Sequence, residues 1–475
     1  MSSSNQEYQP INFDWDGTLP HKRKKPNRGT GFWLMLLVVA VAVTVLLTYT
    51  VTSALNRAQY QQQLERQQQM IEQLRSKAQL SDLDLEHLDI LAALFEEYSY
   101  YAKDVSQEEL LTAVMKAYAE ATGDRYAEYY TEEEYAAMSA ENAGDHVGIG
   151  VSVVHTSVSV DGVEYLAFQI IGVYQNGPAA AHDLRIGDLI YAIKIDGATT
   201  TVSSLGYTKA LSAFAGEAGT TVEFFALRPT GGTYETVSFA ITRGAFESES
   251  VTVQRVEQNP EIGILRISNF DLTTPTQLKA GVKALKAQGV TKFVFDVRNN
   301  PGGDLQSIRA CLSYFLQKGD LILASIDRDG KVVRNYKTAA MTLSGEYASC
   351  SVREDEIGMF ADLDMVVLCN ENTASAAEVF TATLYDYQLA HVIGETTFGK
   401  GIMQSYLPLS TLGNYKGYAK MTTYAYVTQR GVTYHEVGVA PHESVALSEE
   451  AKSYHFYLLP QEKDNQLQAA IAHFE

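Results

Sequence analysis

The chain has 475 residues, of which 46% are hydrophobic, and this length suits two or three domains with sizeable cores. Its formal net charge of −20 argues against a nucleic-acid partner, because phosphate neutralisation needs clustered Lys and Arg. The three cysteines, Cys311, Cys350 and Cys369, are too few for a disulfide framework, and an odd count leaves at least one thiol unpaired.

The N-terminal part carries a candidate membrane segment. Residues 1–30 are polar and are predicted to form a disordered cytoplasmic tail. No charged residue lies between Arg28 and Arg57, and residues 32–51 are almost entirely apolar. About 20 apolar residues suffice to cross a bilayer as a helix, so residues 31–55 are predicted to be a transmembrane helix. The basic cluster before it places the N-terminus in the cytoplasm and everything after it outside the cell membrane. A cleaved signal peptide is the alternative.

Two helical regions are predicted next. Residues 56–81 are rich in Gln, Arg and Glu, and Leu64, Ile71 and Ala78 recur every seven residues. This stalk either pairs two chains as a short coiled coil, giving a homodimer, or is a solvated spacer helix. Residues 82–144 are acidic and follow a helical pattern that includes a helix over 107–121. No catalytic group is evident in this N-terminal helical part.

Residues 145–245 change to strands and turns, with strands predicted at 165–173, 189–195, 220–227 and 234–242 and a helix near 205–214. The segments at 177–190 and 213–222 resemble the signature of PDZ domains. In such domains a glycine-containing loop captures the terminal carboxylate of a peptide, which then adds as an extra strand. The resemblance places this peptide-binding loop at Val147, Gly148, Ile149 and Gly150.

Strands and helices alternate from residue 246, as in an α/β domain, and this core is predicted to extend to residue 450, before a C-terminal segment at 451–475. Strands are expected at 262–267, 292–297 and 365–368, with helices at 275–287 and 305–316. Thr274 is expected to cap the first of these helices, because Pro275 suits its first position. A turn at 298–303, ending in Pro-Gly-Gly, follows a buried strand.

Ser375 lies at the start of a third helix. A serine at this position is commonly an N-cap, but the position also suits a nucleophile.

Lys400 stands between two glycines, 25 positions after Ser375, and Gln404 follows four residues later. A hydroxyl, an amine and an amide on adjoining elements are the parts of a serine–lysine peptidase. Residues 394–400 also fit the start of a phosphate-binding P-loop, but Gly401 stands where Ser or Thr should bind Mg²⁺, and an extended segment follows instead of a helix. We therefore reject the P-loop.

Four blocks in order resemble the carboxyl-terminal processing peptidases, also called tail-specific proteases: the PDZ segment and residues 296–303, 373–378 and 394–404. The likeness covers about residues 85–445. It implies a crotonase-like α/β core with a helical region and an inserted PDZ domain. It also implies that Ser375 is the nucleophile, Lys400 the general base and Gln404 the residue that orients the lysine, with an oxyanion hole at the backbone N–H groups of Gly303 and Ala376.

This sequence departs from the family pattern at two positions. Ala377 stands where the family usually has a second serine, and His442 follows Pro441 where it has an aspartate. Residues 338–358 also form a longer stretch than usual, which could alter access to the site.

The chemistry requires a neutral lysine, whose ordinary pKa is about 10.4. Burial beside Phe398, Ile402 and Met403, away from carboxylates, is expected to lower the pKa of Lys400. The mechanism needs no cofactor and no metal. The histidines show no zinc-binding HExxH spacing, and His391 is expected to be structural, with a Ser-His-Asp triad through it as a minor alternative.

The sequence thus predicts a membrane-anchored, extracytoplasmic serine endopeptidase that cleaves protein or peptide substrates. Its PDZ domain either captures substrate C-termini or gates the site. Two other functions remain as alternatives. One is a membrane-tethered PDZ scaffold with a silent peptidase fold, although a scaffold has no need for Ser375, Lys400 and Gln404 together. The other is a crotonase-like acyl-CoA enzyme, which leaves the PDZ segment and Lys400 unexplained.

Overall fold

The computed structural model describes residues 68–70, 72–73, 86–100, 106–160 and 162–475. The predicted tail, the transmembrane helix 31–55 and most of the stalk lie outside the described residues. The chain divides into two units, Met1–Glu97 and Tyr98–Glu475. In the first, residues 68–70 and 72–73 are helical. Helix α1 spans Glu86–Tyr98, and all of it except Tyr98 belongs to the first unit. Among the residues that can be described, no helix has the length and apolar character to span a bilayer.

The second unit alternates helices and strands. Its first half comprises α2 (Gln107–Ala121), β1 (Glu128–Tyr130), α3 (Glu132–Ala143), β2 (Asp145–Gly148), β3 (Val151–Val160), β4 (Val163–Val173), β5 (Leu189–Ile195), β6 (Ala198–Thr201), α4 (Val202–Leu205), α5 (Tyr207–Ser212), β7 (Thr221–Thr230), β8 (Thr233–Thr242) and β9 (Gly244–Glu247). Its second half comprises β10 (Val251–Arg255), β11 (Ile262–Ile267), α6 (Thr274–Ala287), β12 (Lys292–Asp296), α7 (Leu305–Ser313), β13 (Leu321–Ile326), β14 (Val332–Lys337), β15 (Asp364–Cys369), α8 (Ala376–Asp386), β16 (His391–Gly394), β17 (Ile402–Pro408), β18 (Tyr418–Val427), β19 (Glu443–Ser444), α9 (Glu449–Lys452) and α10 (Asn465–His473). Short 3-10 helices lie at Pro178–Ala181, Gly345–Cys350, Glu354–Glu356, Leu409–Leu412, Phe456–Leu458 and Gln461–Lys463.

A six-stranded sheet with the order β10-β11-β12-β15-β16-β19 forms the core. The β10–β11 pair is antiparallel and the other pairs are parallel. Parallel neighbours need crossover connections, and α6, α7 and α8 lie in the connections between β11 and β12, β12 and β15, and β15 and β16. The predicted α/β core is therefore confirmed.

Side chains alternate between the two faces of this sheet along each strand. Other parts of the chain pack against both faces. Phe293 and Phe295 of β12 pack in one cluster with apolar residues of α6, α7 and α8. Val294, between them in sequence, packs on the opposite face with Leu467 and Ala470 of α10. The C-terminal segment is therefore an integral layer of the core.

A buried ion cluster fixes α10 to the end of β12. The Arg298 guanidinium, 1% exposed, pairs with Asp296 at 2.8 Å and with Asp464 at 2.7 Å. Asp464 also caps α10, since its carboxylate accepts the N–H of Leu467. Burial opposes ionisation of Asp296, but the neighbouring Arg298 and Arg266 outweigh it and lower the pKa of Asp296 to about 2. The cluster directly precedes the Pro-Gly-Gly turn.

The start of α6 differs from the prediction. The helix begins at Thr274, and Thr273 is the N-cap, without a side-chain hydrogen bond of its own. The Asp271 carboxylate accepts the N–H groups of Thr273 and Thr274 instead. The free N–H groups of a helix start need any suitable oxygen, and a carboxylate two residues upstream provides it here.

A second sheet joins the N-terminal helical part to the core, which sequence reasoning did not predict. Its order is β1-β18-β13-β14, with β17 also paired to β18. The short strand β1 lies in the region predicted to be helical and pairs antiparallel with β18, Glu128 opposite Lys420. This pairing places the turn before β1 beside Thr422, which lies opposite Gln404 of β17. Lys400 precedes β17 by two residues.

The unit over residues 145–247 is an insertion. Its first and last strands, β2 and β9, pair antiparallel, so the chain leaves and returns at one place. Between them lies an antiparallel sheet of order β3-β4-β5-β7-β8, with β6 on β5 and β3 at one edge. The predicted strands are present, and β5 has the predicted bounds. Val147 and Gly148 belong to β2, so only Ile149 and Gly150 form the predicted loop before β3.

Candidate active site

The candidate nucleophile occupies a strained backbone position. Ser375 lies at the N-cap of α8 with φ 54° and ψ −117°. A non-glycine residue with positive φ is uncommon, and such strain clusters at functional sites. The turn that carries Ser375 follows β15 of the parallel sheet, so the hydroxyl lies at the carboxyl end of that strand.

Lys400 lines the same cleft as Ser375. Its amine Nζ lies 4.6 Å from the centroid of the Tyr126 ring, and no hydrogen bond joins it to the Ser375 hydroxyl in the described part of the chain. Burial, and then the charges of Lys420 and Arg125, lower the pKa of Lys400, while Glu378 opposes them. A lowered pKa favours the neutral amine that a general base requires.

The observed neighbours of Lys400 differ from the predicted neighbours in two respects. Ile402 and Met403 line the cleft, but Phe398 is 52% exposed and does not. The loop turns at Gly399, where φ is 89°, so Phe398 faces solvent while Lys400 faces the cleft. The site also contains a buried carboxylate, that of Glu378, although the lysine was predicted to lie away from carboxylates.

Glu378 is the principal residue that sequence reasoning missed. Its side chain is fully buried and accepts four hydrogen bonds. One oxygen accepts from Ser375 N–H at 2.8 Å and Lys400 N–H at 2.7 Å. The other accepts from Gly399 N–H at 2.7 Å and the Thr397 hydroxyl at 2.6 Å. One carboxylate thus fixes the backbone of the candidate nucleophile and that of the candidate base. The Ser-x-x-Glu spacing, typical of a helix start, was the signal for it.

Gln404 lines the cleft on β17, but the structure ties it to a different partner from the predicted one. Its amide donates to the Thr422 hydroxyl at 3.3 Å, and no hydrogen bond to Lys400 is present within the described residues. The Thr422 hydroxyl and N–H donate in turn to Asp124, at 3.0 and 2.7 Å. Gln404 is therefore held from the N-terminal helical part.

The two backbone N–H groups predicted for the oxyanion hole both belong to residues of the cleft. Within the part of the chain that the structure describes, neither Gly303 N–H nor Ala376 N–H has a hydrogen-bond acceptor. Gly303 has φ 144°, and a Cβ there would lie 2.2 Å from the Phe270 carbonyl oxygen. Only glycine fits this position. The same turn approaches Ser375 through Gly302, where a Cβ would lie 2.6 Å from the Ser375 Cβ.

The cleft encloses about 500 Å³, and its lining combines apolar side chains with several tyrosines. Its further lining residues are Asn142, Pro301, Asp304, Leu305, Ile308, Leu323, Tyr336, Val379, Ser405, Tyr406, Lys420, Tyr424 and Tyr426. No residue of the 338–358 stretch lines it. That stretch packs on the core, where Cys350 is buried and Ser349 donates to the Leu272 carbonyl.

Other predicted residues lie elsewhere. His391 stacks between His442 and His473, with ring centroids 4.8 and 4.1 Å apart, in a separate cavity, so it does not form a triad with Ser375. The residues predicted to form a PDZ loop, Val147 to Gly150, are outside the Ser375 cleft. Ile402–Pro408 after Lys400 is a strand, as the sequence predicted.

Known proteins are similar to this chain in sequence. A family model described as peptidase family S41 matches residues 261–445. The carboxyl-terminal-processing protease of Picosynechococcus sp. is 29% identical over 349 residues, which cover 73% of this chain and 75% of that protein. A probable CtpA-like serine protease of Staphylococcus saprophyticus is 26% identical, over 77% of this chain and 66% of its own length.

A solved structure supports the fold. A putative S41 protease from Bacteroides fragilis NCTC 9343 has a TM-score of 0.50 and 18% identity, and the match covers 81% of this chain and 96% of that one. The matched region of the family model runs from just before β11 to just after β19 of the core sheet and includes Ser375, Lys400 and Gln404. Residues 261–445 therefore form a peptidase S41 domain, and S41 family peptidases are serine-type endopeptidases.

Proposed function

We propose that this chain is a carboxyl-terminal processing endopeptidase in which Ser375 is the nucleophile and Lys400 the general base. The observation that carries the proposal is one cleft that holds the Ser375 hydroxyl, the Lys400 amine and two backbone N–H groups without acceptors. A hydroxyl, a base with a lowered pKa and a pair of free donors are the groups that acyl transfer requires.

In the proposed reaction, neutral Lys400 accepts the proton of the Ser375 hydroxyl as its oxygen attacks the scissile carbonyl carbon. The N–H groups of Gly303 and Ala376 stabilise the oxyanion of the tetrahedral intermediate. The Lys400 ammonium then donates its proton to the leaving amine, and the C–N bond breaks. Water hydrolyses the acyl-enzyme by the same steps, with Lys400 again accepting a proton. Gln404, held by Thr422, supplies an uncharged amide beside the base.

We also propose that residues 145–245 act as a PDZ domain that recognises the C-termini of substrates. Ile149 is 2% exposed, and the N–H groups of Ile149 and Gly150 have no acceptor among the described residues. Consecutive free N–H groups suit a carboxylate, and β3 beside them is an edge strand that an added peptide strand can pair with. Amidation of a tail peptide should weaken its binding, and equal binding of both forms would refute this assignment.

The proposed location is the cell membrane, with residues 31–55 as a single-pass anchor and the peptidase outside. The basic residues before this segment and its uncharged length support the proposal. Protease added to intact cells should digest the peptidase part but not the N-terminal tail.

The stalk at 56–81 is proposed to pair two chains, so its deletion should halve the mass measured by sedimentation.

The catalytic proposal is tested with an unstructured protein as substrate. The parent chain should cleave it, while Ser375→Ala and Lys400→Ala should not, although both keep the parent circular dichroism spectrum. Ser405→Ala is a matched control, because Ser405 lines the same cleft but its hydroxyl is bonded to Thr423. Undiminished cleavage by Ser375→Ala would refute the proposal. If the parent does not cleave, addition of tail peptides separates a site that needs activation from a silent scaffold.

A further inference from the structure

The turn before β1 brings an aromatic ring to the candidate base. Tyr126 lies between α2 and β1, and its N–H donates to the Asp124 carboxylate at 3.0 Å. That carboxylate also accepts from Thr422 of β18. The turn is therefore attached to the strand whose threonine holds Gln404, and its position relative to the cleft is fixed.

Two cations contact the Tyr126 ring. Lys400 Nζ lies 4.6 Å from the ring centroid and Arg125 Cζ lies 4.7 Å from it. Both distances are within the roughly 6 Å over which a cation is attracted to an aromatic face. A third cation, Lys420 of β18, lines the same cleft as Lys400. Catalytic hydrogen bonds are often unformed in a ligand-free enzyme, so an amine held over this ring can belong to the site without a hydrogen bond to Ser375, which lines the same cleft.

We propose that the Tyr126 ring positions the Lys400 amine for its reaction with Ser375, and that Arg125 and Lys420, as neighbouring cations, oppose the attraction of the ring for the ammonium form and so favour the neutral amine. The inference rests on the proposed serine–lysine mechanism. It assigns positioning roles to residues of the N-terminal helical part, in which the sequence shows no catalytic group.

Four charged or titratable groups other than the ring face Lys400. Arg125 comes from the turn before β1 and Lys420 from β18, and both disfavour the ammonium form, whereas Glu378 of α8 favours it. The Tyr426 hydroxyl of β18 donates to the Lys400 carbonyl and remains neutral, since burial raises its pKa. Removal of either cation should therefore raise the pKa of Lys400.

The two cations should differ in strength. The Lys420 side chain is 20% exposed and acts within the cleft. Arg125 is exposed, so solvent and salt screen its charge more strongly. Lys420 is itself paired with Glu128 at 3.4 Å, which weakens its effect without cancelling it. We expect the larger change from Lys420→Met and the smaller one from Arg125→Met, and both should shrink at high ionic strength.

A titration tests the electrostatic roles directly. In the full chain carrying Ser375→Ala, lysines are labelled by reductive methylation with ¹³C-formaldehyde, and the Lys400 resonance is assigned by its loss in Lys400→Arg. Its titration midpoint should move to higher pH when Lys420→Met or Arg125→Met is added. Lys416→Met is the matched control, because Lys416 is 77% exposed and pairs with Glu108. The midpoint of Lys400 should not move in this variant. An unchanged midpoint in both test variants overturns the electrostatic roles.

Kinetics test the positioning role of the ring. Tyr126→Leu keeps an apolar cover but removes the aromatic face, so kcat should fall about 2- to 30-fold while KM stays the same. Tyr126→Phe should restore kcat, because it restores the ring. A change in KM alone, or equal defects in both variants, contradicts this role. The titration uses a chain that cannot cleave, so a shifted midpoint with an inactive parent would contradict the proposed function and leave the electrostatic roles standing.

Discussion

Replacement of Glu378 by glutamine should damage both stability and catalysis. The carboxylate holds the backbone of Ser375 and Lys400 through one oxygen, and Gly399 and Thr397 through the other. Glutamine must place its NH₂ group against one of these donor pairs, so two hydrogen bonds are lost and donors face donors. Each bond to a buried charged group contributes about 1.5–3 kcal/mol. The free energy of unfolding should therefore fall by about 3–6 kcal/mol.

The same substitution should lower kcat in the molecules that remain folded. Depending on which pair the glutamine NH₂ faces, the backbone of Ser375 and Lys400 or that of Gly399 loses its acceptor. Either loss can shift the candidate base or nucleophile, and a misplacement of about 1 Å can cost a factor of about 100 in rate. Glu378 also favours the ammonium form of Lys400, so its neutralisation should lower the pKa of Lys400 and move the acidic limb of the kcat/KM profile to lower pH.

Urea unfolding and peptide cleavage at 25 °C measure the two effects on the same preparation. Glu371→Gln is the matched control, because Glu371 is an exposed residue of the turn before Ser375 and should change neither quantity. The reasoning is refuted if Glu378→Gln unfolds within about 0.5 kcal/mol of the parent, the range of ordinary surface substitutions, and cleaves at the parent rate.

Three further predictions concern the oxyanion turn, the C-terminal layer and the base. Gly303→Ala should lower kcat about 100- to 1,000-fold with little change in KM. The new Cβ would clash with the Phe270 carbonyl and so displace the Gly303 N–H. A normal kcat would show that this N–H takes no part in the mechanism. Asp464→Asn should lower the free energy of unfolding by about 3 kcal/mol, because Arg298 loses a buried charged partner; urea unfolding checks this, and an unchanged midpoint would contradict it. The parent kcat/KM should rise with pH through a pKa below the ordinary lysine value, because only the neutral amine accepts a proton; a profile that falls over that range would contradict a lysine base.

The core elements could be predicted from the sequence because their signals are local. The β-rich and apolar runs at Leu189–Ile195 and Ile262–Ile267 have the bounds expected, and the helix Gln107–Ala121 begins after Ser106, whose side chain and Glu109 form a capping box. The relation of Ser375 to Lys400 followed from the order of motifs on adjacent strands. Their common cleft depends on parallel pairing of β15 with β16, which the alternation of strands and helices indicated.

The residues that the sequence did not reveal depend on long-range contacts. Strand β1 has only three residues, and its partner on β18 lies about 290 positions away, so no local pattern indicates it. Tyr126 acquires its place beside Lys400 through that pairing. Asp464 likewise reaches Arg298 only after the C-terminal helix packs on the core sheet. Glu378 had a local signal, but a Ser-x-x-Glu pattern also occurs at ordinary helix starts, so its contacts with the Lys400 loop needed the structure.

The central claim, that Lys400 activates Ser375 as a nucleophile, is tested most directly by trapping the acyl-enzyme. The full chain is mixed with a peptide 4-nitrophenyl ester, quenched in acid, and mapped by mass spectrometry across pH. The acyl group should appear on Ser375 in the parent, with a rate that rises as Lys400 loses its proton, and it should be absent in a folded Lys400→Met variant. Acylation at another residue, or equal acylation of Ser375 without Lys400, would contradict the serine–lysine mechanism.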